Sequence, residues 1–228
     1  MYRSFDPLYL YLVLPTFLLT LIMQFNVKSA FNKYSKQYVT SGLTGAAAAA
    51  EVLRQAGVNG VNIMTTSGSL TDHFDPRNNT IYLSQTVYGA ATVAAVGVAA
   101  HEAGHAVQYA DDYFPIKIRT AILPVTNIGS RLALPVIILG FILEMGGLIN
   151  IGILLFGAVV LFQLITLPVE FNASKRAVAA LAQSGQLRPE ELPGSKKVLN
   201  AAALTYVAAL AASTAQLLRF ILLSRRRR

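Results

Sequence analysis

Apolar residues in this chain fall into long, nearly uncharged runs separated by polar stretches, and the runs have the length that a bilayer requires. Pro7 to Phe25 is almost free of charge and long enough to cross a membrane as a helix. It lacks the small-residue cleavage site that ends a signal peptide, so it reads as a retained anchor. Leu132 to Leu167 carries one charge, Glu144, and is too long for a single crossing. Gly146, Gly147 and Asn150 near its middle predict a tight hairpin between two membrane helices. Ala201 to Leu223 is a fourth run, closed by Ser224 and four arginines. The predicted spans are 7–25, 132–149, 151–168 and 201–223, followed by a basic tail at 224–228.

The pattern between the spans is that of a small folded part, 26–131, and a second polar stretch, 169–200. From Asn26 to Thr40, Phe31, Tyr34 and Tyr38 recur at helical spacing opposite Lys28, Lys33 and Lys36. That is a helix lying on the membrane surface or packed against the folded part. Thr44 to Ala56 is an alanine-rich helix with Thr44 as N-cap and Gly57 as its stop. Val58 to Met64 and Thr80 to Ser84 are β-like, joined by a loop rich in Gly, Ser, Asp, Pro and Asn. The second strand, read as an exposed edge onto which an extended substrate adds, feeds a helix at about 86–110.

Composition agrees with membrane residence. The 228 residues are 54% apolar and 13% charged, too greasy for an ordinary soluble enzyme. The absence of cysteine removes disulfides, thiolate metal ligands and a Cys nucleophile. The net charge of +8 raises nucleic acid as a partner. The basic residues, however, flank the apolar runs, and there is no aromatic–basic interleaving of the kind a nucleic-acid-binding surface needs. The bilayer is the expected partner, and nucleic acid is not.

The candidate chemistry lies on the predicted helix at 86–110. His101-Glu102-Ala103-Gly104-His105 is an H-E-x-x-H string that uses two of the chain's three histidines. Positions i and i+4 share a helix face, so both imidazoles can meet one Zn²⁺, with Glu102 placed to take a proton from water beside it. Helix, strand, loop, strand and metal helix is the α+β opening expected of a small zinc-peptidase domain. Catalytic zinc takes three protein ligands. The metzincin continuation is excluded, because Gln108 and Asp111 stand where its glycine and histidine belong. His73, Asp111, Asp112 and Glu170 are the candidates for the third ligand. Asp111 and Asp112 follow the helix too closely to fold back easily. Glu170, straight after an apolar run, is the best placed. With four crossings, Glu170 and the histidine helix also fall on the same side of the membrane. His73 is better suited to binding substrate or an oxyanion, and Tyr206 and Arg176 are further candidates for that donor.

Several stretches together resemble a known family. They are Ser41-Gly42-Leu43-Thr44-Gly45, Gly68 to Pro76, Ala99 to Gln108, Leu167 to Ser174 and Ala203 to Ala208. In this order they are similar to bacterial integral-membrane zinc metallopeptidases of the YugP type. The resemblance covers nearly the whole chain. It implies a multi-pass α-helical membrane protein carrying a small α+β zincin-like, gluzincin-like domain at the membrane surface, with 1–228 as one membrane-embedded unit. A more distant similarity is to gluzincins of the HtpX and CAAX-protease type, whose third ligand opens an E-x-x-x-D stretch. Glu170 matches that Glu, but Ser174 stands in place of the Asp. The carboxylate that orients a zinc histidine is therefore missing from its usual place, and Asp72, Asp75 or a backbone carbonyl are the substitutes considered.

The expected activity is hydrolysis of a peptide bond in a peptide or membrane-protein substrate. One zinc per chain is held by His101, His105 and Glu170, and Glu102 is the general base. The alternative is a non-catalytic zinc-binding membrane scaffold or adaptor, which would need the histidines but not Glu102. A transporter is disfavoured, since Glu144 and Arg219 are the only two charged residues inside the apolar runs. Localisation is the membrane, expected to be a bacterial plasma membrane. Lys28, Lys33, Lys36, Arg131, Lys175, Arg176, Lys196 and Lys197 on the domain side outnumber Arg3 and Arg225 to Arg228 on the other. This count favours a cytoplasmic domain, against the pull of the compact tail. Oligomeric state has no signature in the chain.

Overall fold

A computed structural model describes residues 7–225; Arg3 and Arg226 to Arg228, which entered the charge count, lie outside them. A short π-helical turn, Tyr9–Val13, leads into α1 (Leu14–Tyr34). There follow α2 (Gly45–Gln55), β1 (Asn62–Thr66), β2 (His73–Asp75), β3 (Thr80–Ser84), α3 (Gln85–Tyr88) and α4 (Val93–Ala110). Three long helices complete the chain: α5 (Phe114–Ile142), α6 (Gly146–Ser184) and α7 (Leu192–Arg225). Among the described residues two compact units result, one from 7–24, 118–167 and 205–225, the other from 25–117 and 168–204.

The first unit is helical, and its pieces belong to the four helices long and apolar enough to cross a membrane. α5 and α6 form an antiparallel hairpin whose turn lies at Leu143 to Met145, just ahead of the glycine pair, with Glu144 at φ +56°. The two helices touch closely where side chains vanish. A Cβ on Gly152 would meet the Ala133 carbonyl oxygen at 3.0 Å, and one on Gly140 would meet the Ile149 nitrogen at 2.8 Å. α5 begins at Phe114, well before Arg131, and contains Pro124 and Pro135. In the same unit Arg219 lies over the Tyr9 ring at 5.3 Å, and the rings of Phe156 and Phe220 meet edge to face.

The second unit holds the buried core. Ala48, Ala49 and Val52 of α2 pack on α4, whose Ala95, Ala99 and Ala103 are equally buried, and small side chains let the two helices approach. Thr44 caps α2 by accepting from the Ala47 amide at 3.3 Å, and Gly57 follows the helix at φ +68°. The stretch from Asn26 onward is not a separate surface helix but the end of α1. Tyr34 is buried there against Val93 and the backbone of Gly194, where a Cβ would come within 2.8 Å of the ring.

The sheet departs from expectation in one respect that matters. β2 was not foreseen, and it pairs antiparallel with β3, while β1 pairs parallel with β3 on the other side. Thr80 to Ser84 is therefore the central strand, buried on both faces, and not an exposed edge. Its backbone groups are already paired, so no extended peptide can add to it. The helix expected at 86–110 is divided. α3 ends at Tyr88 with Gly89 as its C-cap, and Thr92 restarts the chain as the N-cap of α4 by accepting from the Ala95 amide at 3.3 Å.

Candidate metal centre

Two helices build the site, and both lie in the second unit at this level. α4 places His101 and His105 one turn apart, with their rings 4.7 Å centre to centre and nearly perpendicular. α6 continues beyond Pro168 and presents Glu170 to them. Glycine sets the crossing of the two helices. A Cβ on Gly104 would lie 2.7 Å from the Ala173 carbonyl oxygen, so only a residue without one lets α6 come this close.

Glu170 Oε2 lies 3.2 Å from His101 Nε2 and 3.7 Å from His105 Nε2. The ligand atoms of the three residues fall within 4.8 Å of one another. Ligands at about 2 Å from a tetrahedral Zn²⁺ stand roughly 3.3 Å apart, so the donor set has the identity and nearly the spacing zinc demands. His105 and Glu170 are buried, and His101 keeps a small opening.

Each histidine is aimed by a partner on its other nitrogen. His105 Nδ1 lies 3.0 Å from Gln108 Oε1. Gln108 Nε2 donates to the Val169 carbonyl at 2.9 Å and to Asn172 Oδ1 at 2.8 Å, which fixes the amide with its oxygen towards His105. Nδ1 of His105 must then carry the proton, and Nε2 presents its lone pair to the metal position. Asn172 is held in turn by Arg176 Nε at 2.9 Å, and Arg176 is paired with Asp111. His101 Nδ1 lies 3.1 Å from Ser174 Oγ. The serine thus does the orienting at the position where the distant gluzincins have Asp. Asp72 and Asp75 are engaged elsewhere: Asp72 accepts from the Ser84 amide at 2.7 Å, and Asp75 pairs with Arg77 at 3.0 Å.

Glu102 is buried beside the histidines. Burial pushes its carboxyl up to about 7, with the charges of Glu170 and Asp72 acting in the same direction and the His101 charge opposing. A group poised there can accept a proton and return it near neutral pH.

The other candidates are dispersed. His73 is on β2, stacked on Tyr82 at 5.0 Å, with Nδ1 2.8 Å from the Thr71 carbonyl. A carbonyl only accepts, so Nδ1 is the protonated nitrogen and Nε2 becomes a donor only in the imidazolium. Arg176 spends donors on Asn172 and Asp111 and lies over the Tyr113 ring at 6.0 Å. Tyr206 belongs to the first unit, and the residues of this site to the second. Asp111 is taken by Arg176, and Asp112 pairs with Lys117 at 2.5 Å, so neither joins the ligand cluster. Gln108 and Asn172 were missed in the sequence. The spacing of Gln108, three residues after His105 on one helix face, was the available signal.

Comparison with known proteins gives a consistent answer. Residues 9–225 match the model of a family described as "Putative neutral zinc metallopeptidase". The chain is 44% identical over 216 residues to "Putative membrane protease YugP" of Bacillus subtilis (strain 168), covering 95% of this chain and 96% of that protein. No solved structure matches the chain.

Proposed function

The chain belongs to this neutral zinc metallopeptidase family, and on that premise we propose that it is a multi-pass membrane zinc endopeptidase hydrolysing peptide bonds near the bilayer surface. The observation that carries the reading is the convergence of His101, His105 and Glu170 within 4.8 Å beside a buried Glu102. Zn²⁺ held by the three would supply a Lewis acid that makes water a nucleophile near neutral pH. Glu102 takes the proton of the attacking water as it adds to the scissile carbonyl, then hands it to the departing amine. Ser174 and Gln108 keep the two imidazoles turned with Nε2 inward. His73 is kept as the candidate donor to the developing oxyanion, since Arg176 is engaged with Asn172 and Asp111.

Membrane residence is supported by the surface of the four long helices. Within their most apolar windows only 0%, 28%, 11% and 17% of residues are buried inside the protein. Phe17, Ile22, Val125, Ile128, Ile142 and Leu154 are exposed. Apolar surface on this scale is stable against lipid, not water. Glu170 follows the apolar run of α6 by two or three residues, which puts the metal centre close to the headgroups. The larger count of basic flanks supports a domain on the cytoplasmic side of a bacterial plasma membrane, against the pull of the arginine tail. The small three-stranded sheet beside α4 is read as the β part of a zincin-like domain.

The decisive experiment measures zinc content and casein hydrolysis on the same detergent-purified samples. Wild type should bind one equivalent, Glu102→Ala should keep the metal and lose cleavage, and Glu170→Ala should lose both. A wild type that takes up no zinc after full reloading would overturn the proposal.

A further inference from the structure

Where α1 and α7 leave their apolar runs, a cavity of about 350 Å³ opens between them, lined by Asn26, Ser29, Lys33, Lys197, Asn200 and Leu204 among others. We propose that this cavity binds the headgroup of an anionic phospholipid, with Lys33 and Lys197 holding its phosphate. The inference rests on the reading that α1 and α7 cross the membrane, but not on the peptidase chemistry.

Three features point to this ligand. The lining contains two lysines and no acidic side chain, and neither lysine has a carboxylate partner among the described residues. Lys33 Nζ rests over the ring of buried Tyr34 at 5.5 Å, which anchors one of the two charges at the cavity wall. The polar groups are those a lipid headgroup uses: ammoniums for the phosphate, and the amides and hydroxyl of Asn26, Asn200 and Ser29 for esters and headgroup hydroxyls. The volume is in the range of small-ligand sites, about 300–1,000 Å³.

Depth selects a lipid over a free phosphate. Asn26 directly follows the apolar run that ends at Phe25, and Asn200 directly precedes the run that begins at Ala201. The cavity thus sits at the level where lipid phosphates lie. Leu204 in its wall and Phe25 beside it are both exposed, and they offer apolar surface along which an acyl chain continues. Basic pockets between membrane helices are a recurrent form of anionic-lipid site.

Native mass spectrometry of the full chain, released from vesicles of equal parts phosphatidylglycerol and phosphatidylcholine, tests the proposal. Wild type should retain phosphatidylglycerol over phosphatidylcholine. Lys33→Gln with Lys197→Gln should lower that preference by about tenfold or more, at the usual worth of a basic side chain near an anionic surface. Lys28→Gln with Lys36→Gln removes the same charge outside the cavity and should leave the preference within about twofold. Asn200→Asp, a near-isosteric change that sets a negative charge in the lining, should lower it as well and serves if the double variant fails to fold. Equal loss in the Lys28 and Lys36 control, or displacement of the lipid by excess inorganic phosphate, would overturn the assignment. Release of the chain from membranes by an alkaline carbonate wash would instead show that the membrane reading itself is wrong.

Discussion

Ser174 and Gln108 hold the two histidines without belonging to the ligand cluster. Ser174→Ala removes the partner of His101 Nδ1 at 3.1 Å, and Gln108→Ala removes that of His105 at 3.0 Å. Each should weaken zinc binding about 10–100-fold, measured by competition with a chromogenic chelator. Ser174→Asp should retain the metal, because a carboxylate at that position accepts from the same nitrogen. Glu102→Gln is expected to behave differently, keeping zinc while kcat falls by about 10²–10⁴-fold. His101, Glu102 and His105 were legible in the sequence because a single helix carries all three at fixed spacing. Glu170 was chosen there over three other candidates by its place straight after an apolar run. Gln108 and Asn172 were not legible, since their contacts join residues more than sixty positions apart and depend on how α6 is turned against α4.

At the scale of elements, the approach of α4 and α6 is the controlling feature. Gly104→Ala would force its Cβ into the Ala173 carbonyl at 2.7 Å, so the helices must separate and carry Glu170 away from the histidines. A loss of about 1–3 kcal/mol in stability is expected, with weaker zinc binding, in thermal melts with and without metal. A second tie holds the loop after α1 to the start of α7. Glu191 accepts from the Thr40 amide at 2.9 Å and the Thr40 hydroxyl at 2.7 Å. Burial alone would raise its carboxyl, but these hydrogen bonds and one from the Arg188 amide outweigh it and hold the group below its ordinary value. The folded pKa is therefore depressed. The contribution is present above the unfolded value of about 4.3 and is lost as pH falls through the folded one. The Tm difference between wild type and Glu191→Gln should accordingly shrink between neutral pH and about pH 3. The α2 cap was readable from Thr44, and the break between α3 and α4 was not, because Tyr88 to Thr92 sits inside an unbroken apolar stretch. β2 was also hidden: three residues are too few for a periodicity, and only β3 beside them makes a strand.

For the molecule as a whole, the absence of cysteine makes sidedness directly measurable. Single cysteines at Lys36 and Lys196 should react with an impermeant maleimide from one side of sealed vesicles, and one at Glu144, in the turn between α5 and α6, from the other. Labelling of all three from one side would refute four crossings. The sequence by itself determined the four apolar runs and the H-E-x-x-H string with Glu102 between its histidines, because each is local: a bilayer reads length and hydropathy, and a helix turn fixes positions i and i+4. The tertiary structure alone decided how closely Glu170 reaches the histidines, which polar side chains set their tautomers, and that β3 lies inside its sheet. These outcomes depend on segments far apart in the chain meeting at a few ångströms, and no periodicity in the sequence records such a meeting.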